Sequence, residues 1–448
     1  IRNCLVGSEM CIRDRSSFAG VQGTDDSRND IVVRGNSPLG VLYKVEGFDI
    51  PNPNHFAVSG SGGGPVSILN NKVLSNSDFF TSAFPAEYGN STSAVLDLNF
   101  KNGNNEKREY SAQLGLLGTE LTLEGPFSKK TGASYLVNYR YATFSIFDAL
   151  NINLGTDALP KYQDINYKLS FPQKNGGVIS IFGMGGTSEI NIKISDQKTV
   201  SEELYGDNDR DQQFRTRMGV TGISYINTIK EKTLMRVGVA VSHEQQASEH
   251  EYVVRHLDAQ KNWVVDSIYP LQNYRFTTNK VLANASFNTK LNKKHVIKYG
   301  VNTHFFNFDM TDSVLVNIDV PNQGFTTRWD YRGTAYLLQG YLQWKWRPTE
   351  KLSMVTGLHN QYFSTSKSLS VLEPRVGVEY NINQKQSLSA GIGLHSQTQP
   401  YYTYFYQTQN NVSDPYTMKN KGMDFSKSLH SVIGYNHALS PTLSLIHI

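Results

Sequence analysis

From about Asn105 onward, apolar and polar side chains alternate with a period of two, segment after segment. Leu388, Ala390, Ile392 and Leu394 share one face of 387–395, and Ser389, Gly391, Gly393 and His395 share the other. In 234–242, Met235, Val237, Val239 and Val241 oppose Arg236, Gly238, Ala240 and Ser242. In 281–291, Val281, Ala283, Ala285, Phe287 and Leu291 oppose Asn284, Ser286, Asn288 and Lys290. Side chains of an extended strand point alternately to its two sides, so this pattern specifies strands with one apolar face and one wet face. No run approaches the roughly 18 apolar residues that a helical membrane span requires.

A soluble β-sandwich alternates in the same way, and the connections separate the two cases. Short polar turns recur at Ser128–Gly132, Gln173–Gly177, Lys230–Lys232, Asn292–Lys294, Pro348–Lys351 and Asn383–Lys385. Long connections lie between them, at about 143–160, 188–211, 254–272, 311–324 and 399–424. Short turns at one end and long loops at the other are the pattern of an outer-membrane barrel. Tyr336, Leu338, Leu342, Trp344 and Trp346 share a face, and the two Trp precede the Pro348 turn, where an interfacial aromatic girdle belongs. One crossing per alternating run gives about fourteen strands. Lys and Arg total 43 against 39 Asp and Glu, a balance that does not suggest a nucleic-acid partner.

The termini read differently. Met10–Arg15 back-translates as ATG TGT ATA AGA GAC AGN, and Leu443–Ile448 as CTG TCT CTT ATA CAC ATC; the two are reverse complements over their shared length. Such a pair is expected of a transposon end used in sequencing libraries and translated at both edges of a contig, so residues 1–15 and 443–448 are set aside. Both cysteines, Cys4 and Cys11, fall in the head. The remaining body has none and supports no disulfide or thiolate-metal argument. On this reading the chain is a fragment cut at both ends.

Residues 16–104 lack the hairpin rhythm of 105–442. Short strands at Ile31–Gly35, Val41–Gly47 and Ala94–Phe100 are separated by Pro51-Asn52-Pro53-Asn54 and Gly60-Ser61-Gly62-Gly63-Gly64-Pro65, which is loop chemistry.

In this order the residues resemble a TonB-dependent outer-membrane receptor of the kind common in Bacteroidetes. The plug pattern of that family shows in Ile31-Val32-Val33-Arg34-Gly35 and in Val41-Leu42-Tyr43-Lys44-Val45-Glu46-Gly47-Phe48-Asp49-Ile50. It resumes at Phe84-Pro85-Ala86-Glu87-Tyr88-Gly89 and runs into Ala94–Gly103, although Ser93 and Ala94 stand where the family has glycines and Phe100 also departs. The resemblance implies an all-β-dominated chain: an antiparallel transmembrane barrel of about 22 strands, of which about fourteen are present, with a small α+β plug in its lumen. It also implies a location in the outer membrane, barrel lipid contacts, a TonB complex of the inner membrane as partner, and a scarce large ligand such as a siderophore, glycan or peptide. Physics gives the plug a reason, because a lumen that wide would leak if left open.

Chemistry beyond transport is sparse, and no catalytic role or cofactor is assigned. His243-Glu244 begins like a zinc-protease helix motif, but Ala247 stands where the second His belongs. Asp207-Asn208-Asp209-Arg210-Asp211 resembles half of a calcium loop without its glycine or distal Glu. Tyr401, Tyr402, Tyr404, Phe405 and Tyr406 crowd six positions and suit ligand capture by stacking, or alternatively an outer aromatic girdle. Arg34 is a candidate for an ion pair between plug and wall, or a solvated strand end. A passive channel or adhesin barrel is the competing function.

Overall fold

The computed structural model describes residues 2–5, 20–23, 28–115, 118–142, 160–199, 207–316, 324–409 and 414–438, the first group as backbone only. Its elements fall into two groups. The first comprises β1 (Arg2–Leu5), β2 (Val21–Gly23), β3 (Ile31–Val33), β4 (Val41–Val45), β5 (Phe48–Asp49), β6 (Asn54–His55), β7 (Val66–Ser67), β8 (Ser77–Phe80) and β9 (Ala94–Leu98). The second comprises β10 (Glu109–Leu114), β11 (Thr119–Ser128), β12 (Ala133–Tyr141), β13 (Lys161–Pro172), β14 (Val178–Ile192), β15 (Arg210–Ile229), β16 (Thr233–Leu257), β17 (Trp263–Lys290), β18 (His295–Val314), β19 (Thr326–Trp346), β20 (Leu352–Phe363), β21 (Ser368–Leu369), β22 (Glu373–Asn381), β23 (Gln386–Gln397) and β24 (Ser426–His437).

The second group forms one antiparallel sheet in chain order from β10 to β24, with β21 attached to β20. All six short turns join consecutive strands of this wall. Lys230 and Glu231 both take positive φ, at 50° and 58°, as a two-residue hairpin turn with the handedness of its strands requires. The strands run further than the sequence suggests. In place of a long connection at 254–272, β16 and β17 continue to Leu257 and Trp263, their ladder carried past two register shifts, between His250 and Glu251 and between Val254 and Arg255. At 25 and 28 residues these strands far exceed the roughly 9–11 residues that a tilted bilayer crossing requires. Among the described residues, β10 and β24 each have a single ladder partner. Residues 443–448 lie outside the described set, whereas the head backbone at β1 pairs with β8.

The first group is built around β1-β8-β9-β4-β5, with β4 and β9 parallel. Glu46 and Gly47 make the tight turn between β4 and β5 at φ 52° and 85°. The α+β expectation for this region needs correction: among its described residues there is no α-helix, only the 3-10 turn Pro38–Gly40. Residues 50–90 are punctuated by Gly, Pro and Asn too often for a 3.6-residue period to develop. Ile31–Val33 is also not part of the five-stranded sheet; it pairs separately with Val21–Gly23.

Polarity in the wall is inverted relative to a soluble protein. Leu342, Ile392 and Ile433 are 51%, 50% and 85% exposed, while Glu373 and His395 are fully buried. The buried polar face looks onto the first group, which we call the inner domain. That domain touches β11 through Asn70 and Glu120, and β24 through Thr92 and His430. Fourteen strands laid flat would span roughly 60 Å at the usual strand spacing. A domain of this size is only about 30 Å across, so the sheet must curl around it.

Such an outer face is suited to lipid, and one prediction follows directly. Leu338→Arg, on the same outer face but further from the Trp344 girdle, should cost about 2–4 kcal/mol of stability in a bilayer. Asn288→Arg, on the interior side beside a cavity of about 710 Å³, should cost less than about 1 kcal/mol. Urea titration of refolding into vesicles measures both, and equal losses would remove lipid from the outer face.

Candidate functional site in the interior of the curled sheet

Inner domain and wall are joined by polar groups whose partners are distant in sequence. Lys168, inward on β13, donates to Glu46 Oε1 at 2.9 Å and to the Phe100 carbonyl at 3.1 Å, and the Phe100 amide donates to the same Glu46 oxygen at 2.8 Å. The tight β4–β5 turn is what holds Glu46 at that point. His55 Nε2 lies 3.0 Å from Asp164 Oδ2, which also accepts from Arg140. Gly186 on β14 permits this approach, since a Cβ there would meet the His55 ring at 2.6 Å. Lys72 pairs with Glu120, and Lys298 with Glu87. Arg375 on β22 donates to the carbonyls of Pro85 and Tyr88 at 2.7 and 2.6 Å, and to Glu373 at 2.8 Å. Buried polar groups stay buried only when paired, so these contacts fix the inner domain against the wall.

His55 carries a pH prediction. Burial pushes its ring below the ordinary histidine value and outweighs the bond and charge of Asp164, with Arg140 acting in the same direction as burial. The native state therefore binds fewer protons than the unfolded chain, and stability falls as pH drops below the unfolded value of about 6.5. Resistance of the inner domain to proteinase K should hold above about pH 6.5 and weaken below it. His55→Gln should flatten that dependence; an unchanged curve would assign it to other groups.

Cavities lie between domain and wall, and two of them are bounded by described residues on both. The outer one, of about 430 Å³, is bounded by Gln246, Phe276 and Met310 on the long-connection halves of β16–β18. The inner one, of about 710 Å³, is bounded by Leu234, Asn288, Val296 and Ser353, close to the short turns. Lys44 lines the inner cavity and Asp49 the outer, and the two form a salt bridge of 2.5 Å between them. Burial works against the Lys44 ammonium, but Asp49, Asp97 and Glu87 outweigh it and hold its pKa above the ordinary value. Burial likewise opposes the Asp49 carboxylate, and Lys44 and His304 overcome it, holding that group below its ordinary value.

The aromatic segment behaves differently from either expectation for it. Tyr401–Tyr404 forms one helical turn, α1, folded inward onto the wall. Tyr404 and Phe405 are buried, and Phe405 stacks on Tyr331 at 3.8 Å. Tyr406 packs edge-on against Trp329, whose Nε1 donates to the Tyr402 carbonyl at 2.7 Å. Tyr404 and Phe405 are thus core rather than exposed rings, Tyr406 is half-buried, and Tyr401 and Tyr402 line the outer cavity. Arg34 is exposed, at φ 52°, and forms no ion pair among the described residues. Of the wet-face residues named from sequence, Asn284 donates to the Gly47 carbonyl at 3.1 Å and His395 packs on Phe84 at 4.0 Å, whereas Lys290 is exposed. In the acidic run, Arg210 pairs with Asp207 and Asp209, and Asp211 accepts from Ser195. No group of three metal-ligating side chains occurs among the described residues.

No protein-family profile and no curated protein sequence matches the chain. Solved structures do. The ferric enterobactin receptor PfeA from Pseudomonas aeruginosa superposes with a TM-score of 0.62 at 13% identity, over 98% of this chain and 69% of its own. The siderophore receptor PirA from Acinetobacter baumannii gives 0.60 at 14%, over 98% and 68%. The ferric-catecholate import receptor Fiu from E. coli K12 gives 0.60 at 11%, over 95% and 67%. The chain has the fold of these receptors.

Sequence reasoning passed over Lys44, Glu46 and Asp49, although they stood inside a segment it singled out. Their signal was available: a charged residue within an apolar run such as Val-Leu-Tyr-Lys-Val must find a partner if the strand is buried.

Proposed function

We propose that this chain is an outer-membrane receptor of the TonB-dependent type, in its Bacteroidetes form. It would import a scarce ligand such as a siderophore, glycan or peptide, with energy delivered by the TonB complex of the inner membrane. Residues 16–104 serve as the plug, 105–442 belong to the lipid-embedded barrel, and Tyr401 and Tyr402 meet the ligand at the outer cavity. The observation that carries this reading is the filled interior: one domain pairs its polar surface to the wall from β11 to β24. Fold similarity to a ferric enterobactin receptor and a ferric-catecholate import receptor supports the ligand class. A passive channel needs an open lumen, and an adhesin has no use for two cavities parted by a buried ion pair.

The test uses cells that produce the receptor with or without TonB. Uptake of labelled ferric siderophore, oligosaccharide or peptide, whichever the receptor binds, should disappear without TonB. Uptake that persists would make the protein a passive channel.

A further inference from the structure

We propose that the outer cavity takes a compact zwitterion, an amino acid or short peptide, with its carboxylate on Lys280 and its ammonium on Glu244. This rests on the receptor reading above and narrows its ligand. In the β16–β17 register Ser242 faces Lys280 and Glu244 faces Thr278. Lys280 and Glu244 are therefore diagonal neighbours on one inward face, with Cα atoms about 7–8 Å apart. Both line the outer cavity, and they form no direct ion pair. Lys280 has no hydrogen bond or ion pair among the described residues. Its ammonium lies 5.5 Å from the centre of the Phe306 ring and 5.6 Å from that of Tyr401, an arrangement that orients a cation without neutralising it. Glu244 accepts one bond, from Gln246 at 3.2 Å.

The third formal charge of the cavity is already matched, because Asp49 is paired with Lys44. What remains open is one ammonium and one carboxylate, summing to zero. A polyanionic ferric chelate would set its charge against Glu244. A neutral sugar would leave both charged groups without a partner. The two termini of an amino acid or short peptide present the complementary charges, and Phe276, stacked with Tyr402, offers an apolar face for a side chain. A volume of about 430 Å³ suits a small ligand and falls within the usual range of about 300–1,000 Å³ for such sites.

Calorimetry on the whole protein in detergent, with phenylalanyl-alanine as probe, tests this. Saturable binding is expected, weakened about tenfold or more by Lys280→Met and by Glu244→Gln, since each leaves one buried terminus unpaired. The N-acetylated dipeptide should bind weakly to the native protein and no more weakly to Glu244→Gln; circular dichroism checks that both variants are folded. Equal affinity for free and acetylated dipeptide, no dipeptide binding, or tighter binding of a ferric tris-catecholate would overturn the proposal. If the dipeptide fails while another ligand shows TonB-dependent uptake, the receptor reading survives alone. If the dipeptide binds and its uptake ignores TonB, the site stands and the receptor reading falls.

Discussion

Arg375→Met is expected to detach the 84–88 turn from the wall and raise ion conductance through the protein in planar bilayers. Arg375 is almost wholly buried, stacks over Phe84, and gives hydrogen bonds to three carbonyls of the inner domain and to Glu373. Methionine fills similar volume but leaves those acceptors bare and the Glu373 carboxylate without its cation. Glu373 still accepts from Ser396 at 2.7 Å, a neutral donor that cannot balance the charge. Removing one partner of a buried pair costs about 3–5 kcal/mol. At about 1.4 kcal/mol per factor of ten, the detached fraction should rise by roughly two to three and a half orders of magnitude. Arg375→Lys should fall between, since an ammonium keeps the charge but not the guanidinium fork. Conductance equal to that of the native protein would mean that the turn is held elsewhere.

The second large effect is expected at Glu46 and Lys168. Lys168→Met alone should destabilise the inner domain by about 3–5 kcal/mol, because it strands the Glu46 carboxylate in a dry site. Glu46→Gln combined with Lys168→Met removes both charges and should recover much of that loss, so the two substitutions are strongly non-additive. Glutamine can still accept from the Phe100 amide, which keeps the turn bonded to β9's extension. Hydrogen exchange of the β4 and β9 amides reads the difference. Additive losses would show that Lys168 acts through packing rather than through its pairing with Glu46.

Much of the architecture was legible because its cause is local. Period-two alternation in 234–242 and 387–395 follows from strand geometry and needs no distant partner, and the six short turns announce themselves by Gly, Pro, Asn and Lys. The same locality explains why strand ends were misjudged. Past residue 254 apolar side chains fall on adjacent positions, as in Trp263-Val264-Val265, so the alternation that announces a strand is lost, yet the ladder continues. The inner domain was harder. Short segments broken by Gly and Pro show where the chain turns, but not which segments pair, and β4 lies parallel to β9 across about fifty intervening residues.

The candidate site shows the limit most clearly. Sequence placed five rings at Tyr401–Tyr406 and offered two environments for them, a ligand or the membrane surface. The fold supplied a third, folding the segment inward so that Tyr404 and Phe405 became core. Alternation by itself determined that the wall has one apolar and one polar face, since each side chain's direction is set by its own strand. Tertiary structure decided which groups the polar face would meet. His55 and Asp164 are 109 residues apart, and no local rule joins them. Their pairing exists because curling the sheet around a domain removes water from both, and a buried charge must then take the partner that geometry brings within reach.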